Sequence, residues 1–401
     1  MKKLVLLVFL ASLLSSACEK SPVSFPVSKK QSQLIDANNA FGFELLKQVN
    51  NVEGVNKNLF ISPLSVSMAL SMTMNGAKGS TLDGMKSALQ TPALSMQEIN
   101  DINKYLLDNL VSLDPKVALT IANSIWYRND FSVLPDFLNV NQNYYYAQVS
   151  PLNFADAENS KNTINQWVSD NTNKKIPTII DQITGDNVMF LINAIYFKGN
   201  WKQKFDKNKT SDKEFVNAKG DKKDIPFMSQ KITADYLSNN DFQLLELPYG
   251  RENYSMLIML PQSGKSVNDL IGMLNPTDWQ SWMNEMSQTK DVNVLLPKFK
   301  FEYELTMNDV LKSMGMELAF SDAADFTGIN PGGNLYISEV KHKSFVEVNE
   351  EGTEAAAATS VGISLTSVPA EVWFIANKPF LFFITEKNTK SILFTGKITN
   401  P

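Results

Sequence analysis

The 401-residue chain is poor in the residues that build disulfides and metal sites, with one cysteine, Cys18, and one histidine, His342. One cysteine cannot close an intrachain disulfide, so the core must supply the stability. One histidine without a CxxC pair or an HExxH helix leaves no set of three or four metal ligands, and neither metal nor cofactor is expected. A Ser/His/Asp hydrolase needs only one histidine, but no GxSxG turn is present. His342 instead lies within the alternating segment Leu335 to Val348, on the face of Val340 and Val346, which is the place of a core histidine. The net charge of −5 comes without a basic cluster, which argues against nucleic acid as a partner. A Pro/Gly/Ser-rich linker is also missing from the middle of the chain. With 43% apolar residues, 24 Phe and 16 Met, one extended core in one large domain is expected.

The N-terminus carries address information. Met1-Lys2-Lys3 followed by LVLLVFLASLLSSA is a charged n-region and an apolar h-region too short for a spanning helix, and reads as an export signal. Ser15-Ser16-Ala17 before Cys18 resembles a bacterial lipoprotein signal, in which Cys18 is lipidated and becomes the first residue. An ordinary signal peptide with an incidental cysteine is the alternative, since Ser15 replaces the usual leucine. The expected division is 1–17 signal peptide, 18–30 lipidated cysteine and flexible Pro/Ser/Lys-rich tether, and 31–401 the domain. The location it implies is the bacterial cell envelope, with the protein exported and held on the outer membrane, facing the periplasm or the surface, by two lipid attachments.

Within the domain, Leu34, Phe41, Leu45 and Leu46 predict a helix over Ser32 to Gln48. A second starts at Ser62-Pro63, with serine as cap and proline in the first turn, and is expected to stop at a left-handed Asn75-Gly76. Residues 117–127 and 188–197 read as central strands, with a helix bearing Ile164, Trp167 and Val168 laid across them. Asn193 interrupts the second strand and needs partners. The C-terminal Pro379 to Lys397 reads as a hairpin around the polar turn EKNTK.

The segment EEGTEAAAATS at 350–360 could be an exposed helix capped by Thr353. However, the following VGISLTSVP is β-prone and offers no amphipathic face to dock. Its alternate residues Thr353, Ala355, Ala357, Thr359 and Val361 are all small or β-branched, as a strand entering a packed sheet requires. Glu354 falls on the opposite face, and no proline occurs before Pro369.

These residues resemble the hinge of a serpin, an inhibitor that traps proteases by inserting its cleaved reactive loop into a central sheet. Blocks in serpin order extend the resemblance over 31–401: NLFISPLSVSMALSMTMNGAKGST (58–81), FLINAIYFKGNWKQKFD (190–206), LLELPYG (244–250), VLLPKFKFEYE (294–304), LYISEVKHKSFVEVNEEGTEAAAAT (335–359) and ANKPFLFFITEKNTKSILFTGKITNP (376–401). The resemblance implies an α+β serpin fold, with helices around a large central, mostly antiparallel sheet, further β-sheets, and an exposed reactive-centre loop at about 350–372. It implies a hinge of Glu350, Gly352, Thr353, Glu354, Ala355, Ala356, Ala357 and Ala358. It also implies a sheet-opening region holding Ser62, Ser65, Asn193, His342, Trp201 and Lys298, with His342 bonded near Asn193 and Ser62, Lys298 paired with Glu350, and Trp201 packed beneath.

The resemblance also implies a bait bond at the usual seventeen positions from Glu350, Thr366-Ser367, with slippage to Leu365 as the alternative. The resemblance implies a monomer that is not an enzyme but a suicide substrate forming a covalent acyl complex with serine, and also cysteine, proteases. From Gly352 to Glu371 there is no lysine or arginine, which disfavours trypsin-like enzymes; elastase-like or other proteases that accept small or aliphatic residues suit the loop better. The alternative is a non-inhibitory serpin acting as a binding protein or plain protease substrate.

Overall fold

The computed structural model describes residues 22–353 and 371–401. Cys18, Glu354, Ala355, Ala356, Ala357, Ala358, Leu365, Thr366 and Ser367 lie outside the described residues.

Among the described residues the strands form two sheets. One is built from β1 (Val117–Arg128), β2 (Gln148–Leu152), β3 (Met189–Asn200), β4 (Phe299–Thr306), β5 (Lys341–Asn349) and β6 (Gly352–Thr353). Its spatial order is β4-β5-β6-β3-β1-β2, antiparallel throughout except between β1 and β2. The VALTIANSIWYR and MFLINAIYFKGN sequences of β1 and β3 supply the β-branched and aromatic residues that favour strands. They pair from Val117↔Gly199 to Tyr127↔Met189. On the other side β4 and β5 pair from Phe299↔Val348 to Thr306↔Lys341.

Among the described residues only β6, two residues long, joins these two ribbons. Beyond it the sheet is split, and a cavity of about 200 Å³ lies between β3 and β5. Leu191 and Asn193 line one wall, and Lys341, His342 and Lys343 the other.

The second, nine-stranded sheet has the C-terminal hairpin in its interior, Phe380–Glu386 against Ile392–Ile398. Both strands are buried along their whole length, which explains why PFLFFI reads as a continuous apolar run. Phe60 stacks on Phe394 and Phe382, with ring centroids 5.0 and 5.6 Å away. The hairpin turn is closed by the buried Glu386, whose carboxylate accepts from the Asn388 and Thr389 amides at 2.8 and 2.7 Å.

Helix α1 (Lys29–Glu53) is longer than the Ser32 to Gln48 stripe, because Ser28 and Gln31 form a capping box upstream. The tether expected over 18–30 therefore ends earlier. Residues 22–28 are docked rather than loose: Asn253 bonds both the amide and the carbonyl of Val23, Asn388 donates to Phe25 O, and the buried Phe25 ring meets Tyr105 edge-on.

Helix α2 (Pro63–Met74) starts at the Ser62 cap as expected, but its end is not left-handed, since Asn75 has φ −61°. Gly76 is required for space instead, because a Cβ there would overlap the Ile329 side chain. Helix α3 (Ala157–Asn171) lies over the sheet with Ile164 and Val168 buried and Trp167 edge-on to Trp126.

The strand expected from Leu335 begins only at Lys341. Its neighbour β4 ends at Thr306, where the chain turns into a helix at Asn308. Val340 is tied there instead, its amide donating to Asn308 Oδ1 at 2.8 Å and its carbonyl accepting from Met307 N at 2.7 Å.

Candidate functional site: a split sheet and the turn that enters it

Strand β5 ends in the turn Glu350-Glu351, after which Gly352 and Thr353 run back between β5 and β3. Thr353 pairs with Val348 on one side and Gly199 on the other; Gly352 pairs with Asn349 and Asn200. Gly352 has φ +147°, and a Cβ there would overlap the Gly199 carbonyl oxygen, so only glycine lets the chain pass so close to β3. Thr353 is 3% exposed and its hydroxyl lies 2.6 Å from the Tyr249 hydroxyl. Thr353 itself is a strand residue, and the rest of the segment weighed as a helix lies outside the described residues.

Beneath this turn Trp201 donates its indole N–H to Asn349 O at 2.9 Å and stacks on Tyr249, with centroids 4.5 Å apart and planes within 9°. Lys298 Nζ stands 3.0 Å from Glu350 Oε2, and Thr210 donates to Glu350 Oε1 at 2.8 Å. Burial alone would raise the Glu350 carboxyl, but the turn amide, Thr210 and Lys298 together hold it below the ordinary glutamate range. Glu351, absent from the expected hinge set, pairs with Lys204 and Lys207 at 2.6 and 3.0 Å.

Along the split, His342 Nε2 accepts from the Ser62 amide at 3.3 Å, which requires a neutral ring with its proton on Nδ1. Burial lowers its pKa to about 4. Ser62 Oγ accepts from Ser65 N at 3.2 Å and donates to Leu393 O at 2.7 Å, tying the start of α2 to the C-terminal hairpin. Asn193 is bonded not to His342 but to Asn123, its Nδ2 donating to Asn123 Oδ1 at 2.7 Å, while Asn123 donates to Tyr145 O at 2.8 Å. The direct neighbour on β1 competes successfully because Asn123 and Asn193 are paired in register, whereas His342 lies across the cavity. Among the described residues the buried Asn193 Oδ1 has no partner.

Among the described residues no group of three or more His, Cys, Asp or Glu could hold a metal ion, and no helix is long and apolar enough to cross a membrane.

The model of the family described as serpin (serine protease inhibitor) matches residues 36–401. Over 380 residues the chain is 39% identical to the leukocyte elastase inhibitor of Xenopus laevis, covering 90% of this chain and 97% of that one. The chain belongs to the serpin family. Its structure also matches the native state of the thermophilic serpin tengpin, with TM-score 0.84 and 34% identity over 95% of this chain and 97% of that one. Human thyroxine-binding globulin matches with TM-score 0.83 and 28% identity over 93% and 99% of the two chains. The serpin blocks of the sequence thus converge on one end of the split. Tyr249 of LPYG, Gly199 of FKGNW and Trp201 all meet the start of the loop.

Proposed function

We propose that this serpin is a suicide-substrate inhibitor of serine proteases, and of cysteine proteases that react through the same kind of acyl-enzyme. The observation that carries the reading is β6, two loop residues seated between β5 and β3 at the head of a split that no other described strand fills. A protease attacks the carbonyl of Thr366, forms an acyl-enzyme and releases the Ser367 amine, Leu365-Thr366 being the neighbouring alternative bond. The freed segment from Gly352 then zips between β3 and β5. Fifteen residues to Thr366 span about 50 Å, which carries the protease away before water can reach the ester. Compression separates the nucleophile from the histidine and oxyanion hole that deacylation needs. The driving force is completion of a sheet whose middle strand, among the described residues, is only Gly352–Thr353, so each molecule acts once and turns nothing over.

The loop's lack of basic residues favours elastase-like enzymes and others accepting small or aliphatic side chains, and the relative named leukocyte elastase inhibitor fits that preference. The test is incubation of residues 22–401 with pancreatic elastase, neutrophil elastase, subtilisin and trypsin, followed by denaturing electrophoresis and mass analysis of the released peptide. A covalent band near the summed masses, with a C-terminal fragment beginning at Ser367, is expected with the elastases. Cleavage without such a band for every enzyme would instead make the loop a plain substrate and the protein a non-inhibitory serpin.

We also propose that the protein is a monomer exported to and lipid-anchored in the bacterial cell envelope; the signal-like N-terminus ending at Cys18 supports the anchor. Detergent partitioning of the full chain tests this: Cys18→Ser should move it from the detergent to the aqueous phase, and an unchanged distribution overturns the anchor.

A further inference from the structure

The hinge motif gives Glu351 no task, yet its carboxylate is buried between two lysine ammonium groups. The residue is 6% exposed, and the ammonium groups of Lys204 and Lys207 lie 2.6 and 3.0 Å from its two oxygens. Burial pushes its carboxyl up, but the two lysines outweigh that and hold it below the ordinary range. The main chain of the same turn is bound by the same stretch: Trp201 N donates to Glu351 O and Phe205 N to Glu350 O, each at 2.9 Å. Residues 201–207, which continue β3, therefore form a cradle for the turn through both backbone and side chains.

Insertion needs such a cradle because strand side chains alternate with a period of two. A one-residue slip would turn every inserted side chain over, placing Glu354 rather than Thr353 in the core. At the entry point only Gly352 and Thr353 are paired, and two residues specify a register weakly. Meanwhile the other end of the segment is loaded by a tethered protease.

We propose that Glu351, gripped by Lys204 and Lys207, fixes the register in which the cleaved loop enters the sheet, and is thus a positioning residue for trapping. This rests on the inhibitory reading above. Glu351 touches neither protease nor scissile bond, so its loss should leave acylation alone and slow the start of insertion, giving water more time at the acyl-enzyme. Fewer encounters would end in a trap and more in hydrolysis.

The experiment measures, for wild type and Glu351→Gln, the number of inhibitor molecules consumed per protease inactivated, the rate of loop cleavage, and the dependence of both on salt. Expected for Glu351→Gln is a several-fold rise in consumption at an unchanged cleavage rate. Wild-type consumption should climb towards the variant's value as salt screens the lysines, while the variant stays flat. Lys207→Gln, at a side chain 55% exposed, gives a second variant with the same expected direction should Glu351→Gln fold poorly. Equal consumption by wild type and both variants at every salt concentration overturns the proposal, even if the thermal midpoint falls. A wild type that forms no covalent complex at all overturns the inhibitory reading instead, and this proposal with it.

Discussion

The hydroxyls of Tyr249 and Thr353 lie 2.6 Å apart inside the core, joining a strand of the nine-stranded sheet to the first loop side chain held within the other. Tyr249 also stacks on Trp201, whose indole holds the end of β5. The first inward-facing position of the loop is thus already occupied, and its chemistry is specified by partners from three segments of the chain.

Replacing Thr353 with Arg places a guanidinium where a hydroxyl is 3% exposed. An unpaired buried charge costs several kcal/mol, so the hinge should stay outside the sheet. Loop cleavage by elastase is expected to proceed while the covalent band on denaturing gels disappears. Trapping at the wild-type level would show that insertion is not the mechanism. Tyr249→Phe, which removes one hydroxyl bond worth about 1 kcal/mol, should weaken the native state only mildly.

Gly352→Ala tests the close passage of the turn past β3. With φ +147° and a Cβ overlapping Gly199 O, alanine forces β6 away from β3. The amide of Trp201, which donates to Glu351 O at 2.9 Å, should then exchange its hydrogen faster. Unchanged protection at Trp201 would mean that the turn accommodates a side chain.

The only histidine should make the native state sensitive to mild acid. Its folded pKa of about 4 lies below the unfolded value of about 6.5. Between those values the unfolded chain binds the extra proton, so stability rises with pH across the window, is complete above it, and is lost as pH falls from about 6.5 to 4. Protonating Nε2 would also point an N–H at the donating Ser62 amide. The loss is on the order of 3 kcal/mol. Denaturant unfolding of His342→Gln across this range should show a flatter slope than wild type, and parallel slopes would remove His342 as the cause. The carboxyls of Glu350 and Glu351, both held below the usual range, add their own losses only at lower pH.

Deleting residues 22–28, or substituting Phe25→Ala alone, should lower the thermal midpoint. Phe25 is buried against Tyr105, and burying such a ring contributes about 1.5–3 kcal/mol. Scanning calorimetry of residues 22–401 against 29–401 makes the comparison, and equal midpoints would show that the docked segment contributes nothing to stability.

Much of this arrangement was legible in the sequence where the signal is local or repeats along one segment. The Ser62-Pro63 helix start, the C-terminal hairpin and the alternation of β5 depend on neighbours a few residues away, and the serpin resemblance located Glu350 and Lys298 near each other. The contacts of Tyr249 with Thr353, of Asn193 with Asn123, and of Glu351 with Lys204 and Lys207 were not legible, because each joins segments 70 to 147 residues apart without periodicity or motif spacing. The Leu335–Val340 stretch misled for a related reason. Alternation predicts a strand only where a partner exists, and β4 stops at Thr306. At Gly76 the residue type was read as a backbone requirement, whereas its cause is the Ile329 side chain opposite.

The docked Val23 also sets a leash. From Cys18 to Val23 the chain has five Cα steps, a reach of at most about 18 Å. With the lipid proposed for Cys18, the turn that holds Val23 through Asn253 would ride close to the bilayer surface. Glu252 in that turn is paired with Lys202, next to Trp201 under the hinge, so the hinge end of the split would be the membrane-proximal end. Such an inhibitor would search in two dimensions, meeting proteases that reach the envelope surface rather than those free in the surrounding fluid.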